Sequence, residues 1–421
     1  MWIFLWFLLF VNASPLDRTT EQGEASITDP DQECAPYSYA PIAQQMSNFP
    51  ETWQAASILS DDSVALAKWN SISASIPTDI AKKTQPPPSD YPSDDPDCWW
   101  TADQCLTPKL NGLPPDVAAA PEPSTLGYGF DDGPNCSHNA FYDFLQSQNQ
   151  KATFYFIGSN VADFPLEAQR ALADGHEICV HTWSHPYMTT FASEDAFAEL
   201  WYAMQMIKLV VGVTPTCWRP PYGDVDDRIR AIANALGLQT IMWKYDSQDG
   251  DINGNTIVPD TVEANYNNFI QTAAQGAFNT TGAIILTHEI DNFTMSEAVK
   301  FYPQLKSVFQ HIVPVGVSLN KTQPYVETNY SLPTFEEYVA GTLTVDGSRV
   351  SNSSTSTSAS QSSTSTSTSS TTTPSAKATG ESNASANAAR GFTELAREHS
   401  LLSAIVAFSW LFWTVDFGLF H

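Results

Sequence analysis

The 421-residue sequence predicts an α/β fold: a distorted or incomplete (β/α) barrel of about seven parallel strands, preceded by an irregular N-terminal extension. Three observations carry that expectation. From Thr125 onward, short apolar runs alternate with amphipathic stretches, which is the texture of parallel strands joined by helices. About seven such units spread over about 200 residues suit a barrel better than a small open sheet. Each unusual polar cluster also falls directly after an apolar run, and the C-terminal strand ends are where such barrels hold their reactive groups.

Taken in order, the chain opens on "MWIFLWFLLFVNAS", an apolar stretch too short to span a bilayer and ending in a small-residue site near Ala13. Residues 1–13 therefore read as a secretory signal peptide, with a buried N-terminal helix as the alternative. Residues 14–123 form the N-terminal extension. One helix is expected there near 52–68, and "QPPPSDYPSDDPDCWW" (85–100) reads as a proline-rich linker.

The barrel domain is placed at 124–320, with strands at 126–130, 152–157, 177–181, 216–219, 240–243, 283–287 and 313–317. The clearest helical pattern puts Phe197, Leu200, Trp201, Met204 and Ile207 on one face behind a Ser193 cap. Residues 321–350 form a C-terminal extension. Residues 351–387 are a Ser/Thr-rich stalk that cannot bury a core, so an extended, O-glycosylated segment is expected. At the end, Asn387, Ala388 and Ala389 make a small triplet, followed by a polar spacer and an apolar tail from Leu401 to Phe420. That arrangement reads as a GPI-attachment signal with Asn387 as the attachment residue and 388–421 as its propeptide; a single-span anchor is the alternative.

Six cysteines, Cys34, Cys98, Cys105, Cys136, Cys179 and Cys217, on a secreted route read as disulfides, of which only Cys98–Cys105 is close enough to be guessed. Sequons at Asn135, Asn279, Asn292, Asn320, Asn329, Asn352 and Asn383 fit the same route. The formal charge of -27, from 46 acidic against 19 basic residues, would repel a phosphate backbone and excludes nucleic acid as a partner. It suits a soluble surface, or a neutral to cationic polymer nearby.

Five clusters lie on the predicted rim. "GFDDGP" carries Asp131 and Asp132 after the first strand, and "HTWSH" carries His181 and His185 after the third. "RPPYG" begins with Arg219, "DSQD" holds Asp246 and Asp249, and "LTHE" holds Leu286 and His288. Two imidazoles four residues apart can face one way on a helical turn, and one carboxylate completes a three-ligand metal set with open positions. Cation binding would neutralise Asp132, so that Asp131 beside it stays ionised as a general base. A tight acidic turn is the bland account of two adjacent aspartates, but it predicts no histidines opposite.

In this order, the five motifs resemble those of the polysaccharide deacetylase domain (NodB homology, carbohydrate esterase family 4). The signal, stalk and tail resemble those of fungal chitin deacetylases. The resemblance covers about 124–320 and implies metal ligands at Asp132, His181 and His185 for one divalent ion, Zn2+ or Co2+. It implies a general base at Asp131, oriented by Arg219, and a general acid at His288. It places the backbone N–H of Tyr222 at the oxyanion, Leu286 in the acetyl-methyl pocket, and Asp249 in support of the Arg/His pair. The motifs depart from the family at Gly129, where Thr or Ser is usual, and at Gly250, where Trp usually follows the aspartate.

The function so implied is metal-dependent hydrolysis of the N-acetyl groups of chitin or its oligomers to chitosan and acetate, in cell-wall biogenesis. The protein would be secreted and located at the cell membrane, through a GPI anchor, and in the cell wall. An O-acetyl polysaccharide esterase, or a catalytically silent wall-binding protein, are the alternatives. Trp183, Trp218 and Tyr222 flank the site as candidates for stacking on sugar rings, although tryptophans in a barrel are more often core.

Overall fold

A computed structural model describes residues 16–254 and 256–341. The stalk, the tail, Asn352, Asn383 and Asn387 lie outside the described residues, as do the predicted signal peptide and residues 342–350 of the C-terminal extension. Among the described residues no helix is long and apolar enough to cross a membrane.

Nine short strands form the wall: β1 (Thr125–Gly127), β2 (Gly129–Gly133), β3 (Thr153–Phe156), β4 (Glu177–Val180), β5 (Cys217–Trp218), β6 (Gln239–Thr240), β7 (Tyr245–Asp246), β8 (Ala283–Leu286) and β9 (His311–Val313). They make two sheets, ordered β2-β3-β4-β5-β6 and β7-β8-β1-β9, and every pair is parallel. The sheets meet where β1 runs through Tyr128 into β2 and where Asp131 bridges His288 in parallel. The predicted strand 126–130 is thus one stretch bent into two. Its lower half pairs with β8 and β9, and its upper half pairs with β3.

The barrel does not close by strand pairing between β6 and β7. The N-terminal extension borders that gap. Val117 bridges Ile241 in parallel, donating to the Thr240 carbonyl (3.0 Å) and accepting from the Met242 N–H (2.7 Å), while the Ala120 carbonyl accepts from Gly282 (2.9 Å). An exposed sheet edge is an aggregation hazard, so this extension caps β6 as well as leading into the domain.

Four local expectations need correction. The helix expected at 52–68 spans Ser63–Ile72, because the Asp62 carboxylate accepts from Val64 and Ala65 and starts it there, while Ala56 and Leu59 give their N–H groups to Glu199 and Tyr202. Ser193 does not cap its helix: it is the first helical residue of Ser193–Val211, and its hydroxyl accepts instead from Arg228 (3.3 Å). The last predicted strand, 313–317, is β9 followed by a helical turn, Val315–Ser318, entered through Pro314. Finally, Trp183 and Trp218 are 0% exposed, so both are core residues with no face for a sugar.

The helix Ser193–Val211 buries Phe197, Leu200, Met204 and Ile207 as its spacing predicted, while Trp201, placed on the same face, is only half-buried against the core. The Cys98–Cys105 bridge forms as expected, and Cys34–Cys136 and Cys179–Cys217 complete the pairing. The first of these two fixes the extension to the loop after β2, and the second joins β4 to β5.

Candidate active site

The adjacent aspartates are separated by a bulge. Against β3, Asp131 pairs with Tyr155 and Gly133 with Phe156, leaving Asp132 as the extra residue at φ +71°. A bulge re-aims side chains locally, so the two carboxylates reach different partners. Asp131 accepts from Arg219 Nη1 at 2.6 Å, and Asp132 reaches the imidazoles.

Arg219 is fully buried at the end of β5, over the Tyr155 ring (3.9 Å) with its Nε donating to the Ile241 carbonyl (3.3 Å). This sandwich leaves Arg219 little freedom, and it holds Asp131 by a charge-assisted bond of the strong class.

His181 and His185 converge as expected, but not on a helical turn. The loop after β4 is non-helical, with Thr182 at φ +65° and His185 at φ +60°. Such left-handed positions cost about 1–3 kcal/mol each for non-glycine residues and persist only where surrounding contacts impose them. The His181 Nδ1 sits 2.8 Å from the Arg219 carbonyl, and the His185 Nδ1 sits 3.2 Å from the Tyr222 hydroxyl. Those contacts leave both Nε2 atoms facing the same point, each 3.1 Å from Asp132 Oδ1.

The donor atoms of Asp132, His181 and His185 lie within 4.8 Å of one another. Asp132 Oδ1 is buried and receives no hydrogen bond, although both imidazole Nε2 atoms lie 3.1 Å from it. A carboxylate oxygen without a donor, facing two imidazole nitrogens, is the donor set and orientation a divalent cation requires. The residues fit the metal. Burial works against the charge of Asp132, yet His185 and His181 outweigh it and hold its carboxyl well below the usual range.

Across the rim, His288 follows β8 with its Nδ1 2.7 Å from Asp249 Oδ1, and its backbone N–H donates to Asp249 Oδ2 (3.1 Å). The Ser247 hydroxyl lies 2.7 Å from the same carboxylate and 2.9 Å from the Leu286 carbonyl, its one proton being shared between the two acceptors. Burial opposes charge on His288, but Asp249, Asp132 and Asp131 together outweigh it, so its pKa is pushed up to about 10. The expected support of an Arg/His pair by Asp249 is narrower than that: its carboxylate is spent on His288 and Ser247, while Arg219 serves Asp131.

Gly250 explains its own departure from the family motif. A Cβ there would lie 2.9 Å from His288 Cε1 and 3.0 Å from Nδ1, so its backbone packs directly against the imidazole. Tyr222, at φ +58° in the turn Pro221–Gly223, exposes 49% of its surface and stacks on Tyr187 with ring centroids 4.1 Å apart. Leu286 ends β8 and is buried. Asp246 is exposed, accepts from Gln248 N (2.7 Å) and lies close enough to His288 and Asp249 to interact with their charges. Of the described sequons, Asn279, Asn292, Asn320 and Asn329 are exposed, whereas Asn135 is half-buried and its amide donates to the Ile290 carbonyl.

Among the buried acids not singled out from the sequence are Glu289 and Glu199. Glu289 accepts from Asn135 N (3.1 Å) and the Tyr142 hydroxyl (3.2 Å), with His138 Nδ1 at 3.0 Å, and its own N–H donates to the Asp131 carbonyl (2.8 Å). Burial pushes its pKa up to about 8. Glu199, in the middle of a helix, bonds the His181–His185 loop. The only sequence signal for the first is its place beside His288; an isolated glutamate in an amphipathic helix gives no signal for the second.

A parallel barrel with this rim defines a class of hydrolytic α/β domain, and comparison with known proteins makes it specific. Residues 118–241 match the polysaccharide deacetylase family model. The chain is 49% identical over 340 residues to chitin deacetylase 2 of Cryptococcus neoformans, covering 78% of this chain and 74% of that one. It is 42% identical over 316 residues to the chitin deacetylase of Amylomyces rouxii, covering 72% and 74%. The solved chitin deacetylase of Colletotrichum lindemuthianum aligns at 25% identity and a TM-score of 0.46, over 51% of this chain and 96% of that one. The protein belongs to the polysaccharide deacetylase family, whose members are in general metal-dependent.

Proposed function

We propose that this protein is a chitin deacetylase, hydrolysing the N-acetyl groups of β-linked N-acetylglucosamine chains to give chitosan and acetate. The observation that carries the reading is the convergence on one rim of an unsatisfied Asp132 flanked by two oriented imidazoles, an Arg-held Asp131 and an Asp-held His288. The relatives named chitin deacetylase support the choice of polymer.

Asp132, His181 and His185 hold one divalent ion, Zn2+ or Co2+, which when bound polarises the acetyl carbonyl and lowers the pKa of water, toward about 7 in well-studied zinc sites. Asp131 takes the proton from the attacking water, and Arg219 keeps its carboxylate aimed at that proton. The backbone N–H of Tyr222 supports the developing oxyanion, and Leu286 bounds the acetyl methyl. His288, kept as imidazolium by Asp249, delivers a proton to the departing amine, which leaves poorly without one. A silent binding protein has no use for a paired base and acid placed opposite one another.

The outer segments support a secreted, glycosylated chain anchored by GPI at the cell membrane, or resident in the cell wall, with Asn387 as the attachment residue. Release of the full-length protein by a GPI-cleaving phospholipase checks the anchor; a chain that stayed behind and kept its tail peptide would be a membrane span. The activity is tested by acetate release from chitin oligomers and from acetylated xylan. Release from the first is expected, and release from xylan alone would replace the amide reading by the ester one.

A further inference from the structure

We propose that Glu199 is a positioning residue for the metal site, and that through it the N-terminal extension sets the geometry of the two histidine ligands. The proposal rests on the reading of Asp132, His181 and His185 as the ligand set and adds a residue outside the five motifs.

Glu199 lies in the helix Ser193–Val211, where its spacing makes it an ordinary polar position, yet it is 0% exposed. Its carboxylate receives four hydrogen bonds. Oε2 accepts from the backbone N–H groups of Trp183 (3.0 Å) and Ser184 (2.9 Å), the two residues between Thr182 and His185. Oε1 accepts from the Ser184 hydroxyl (2.8 Å) and from the backbone N–H of Ala56 (2.7 Å), which belongs to the extension. A buried carboxylate costs several kcal/mol unless its lone pairs are filled, and here all four partners come from the loop and the extension.

The loop needs such a hold. Thr182 and His185 both sit at positive φ and bracket the two amides that Glu199 receives, while the Thr182 hydroxyl accepts from His185 N (3.0 Å). A ligand carried on a strained loop keeps its direction only while the contacts that impose the strain persist. Glu199 supplies three of them from one side.

The extension supplies the other side. The Trp183 indole donates to the Glu51 carbonyl (3.1 Å), and its ring stacks on Phe49 with an interplanar angle of 11°. The Trp53 N–H donates to the Ser159 hydroxyl (2.9 Å), which in turn donates to the Trp183 carbonyl (2.7 Å). Residues 49–56 and Glu199 therefore enclose Trp183, the residue midway between the two imidazoles. The extension is in this sense part of the metal-binding unit.

The test is metal affinity in the full chain. Glu199→Gln keeps shape and volume but turns one acceptor oxygen into an NH2 group that faces N–H donors. Zn2+ dissociation, measured by competition with a chelating dye, should weaken by about 10–100-fold, the usual effect of removing a group that orients a ligand. At saturating Co2+, the visible spectrum of the variant should also differ from wild type, a change that loss of stability alone would not produce. Equal Zn2+ affinity with an identical Co2+ spectrum would overturn the proposal. Should Glu199→Gln not fold, Ser184→Ala removes only the hydroxyl donor, and affinity should weaken about threefold to tenfold; wild-type affinity there would overturn it equally. A wild-type protein that bound no metal would instead refute the ligand assignment itself, and the proposal with it.

Discussion

Replacing Asp249 by Asn removes the charge that keeps His288 protonated while retaining an acceptor for its Nδ1–H. In the native site the carboxylate is 2.7 Å from that nitrogen and, together with Asp132 and Asp131, outweighs burial, pushing the His288 pKa up to about 10. An opposite charge at this range shifts a pKa by about 1–3 units, so the variant should titrate between about 7 and 9. The sign follows from the role. A general acid must be protonated, so its pKa sets the alkaline limb of the rate profile, and lowering the pKa brings that limb to lower pH. At pH 9 a group with pKa about 10 is about nine-tenths protonated, whereas the variant would be between about half and about one-hundredth protonated. A bound cation lowers His288 in both proteins, so the displacement between the two profiles is the quantity to read. The assay is kcat for acetate release from a chitin oligomer between pH 5 and 10. Profiles whose alkaline limbs coincide would show that His288 is not the titrating acid, or that Asp249 does not hold its proton.

Three further outcomes are expected. Asp131→Asn should retain metal but lose about 10²–10⁴-fold in turnover, the usual worth of a positioned base; near wild-type rates would reduce Asp131 to a turn residue. His181→Ala or His185→Ala should abolish metal retention by elemental analysis while near-UV circular dichroism stays native, because both side chains sit on the rim. Gly250→Ala, whose Cβ would meet the His288 ring at 2.9 Å, should lower kcat by displacing the imidazole and leave Zn2+ affinity unchanged; unchanged kcat would show that this backbone can yield.

The barrel was legible because its strands are apolar runs that end abruptly in charged or aromatic motifs, a contrast a single sequence displays. Asp131, Asp132, His181, His185, Arg219 and His288 could be placed on one rim for that reason, and the structure brings them together. How they meet was not legible. The bulge at Asp132 and the left-handed residues Thr182 and His185 are imposed by contacts distant in sequence, and no local propensity encodes them. The same holds for the extension. Residues 52–62 look helical by themselves, but their N–H groups are drawn to Glu199 and Tyr202, more than a hundred positions away. Trp183 and Trp218 are the opposite case: they stand in or beside the histidine and arginine motifs in sequence, where a sugar-stacking face and a place in the core were both open readings, and they are fully buried.

The measurement that bears most directly on the account is a metal titration of the chelator-stripped protein, with acetate release from N-acetylglucosamine oligomers followed at each addition. The account predicts no acetate from the stripped protein, recovery that saturates at one Zn2+ or Co2+ per chain, and no recovery in His185→Ala at the same metal concentration. Undiminished acetate release without metal, or a fully loaded protein that leaves every oligomer acetylated, would contradict it.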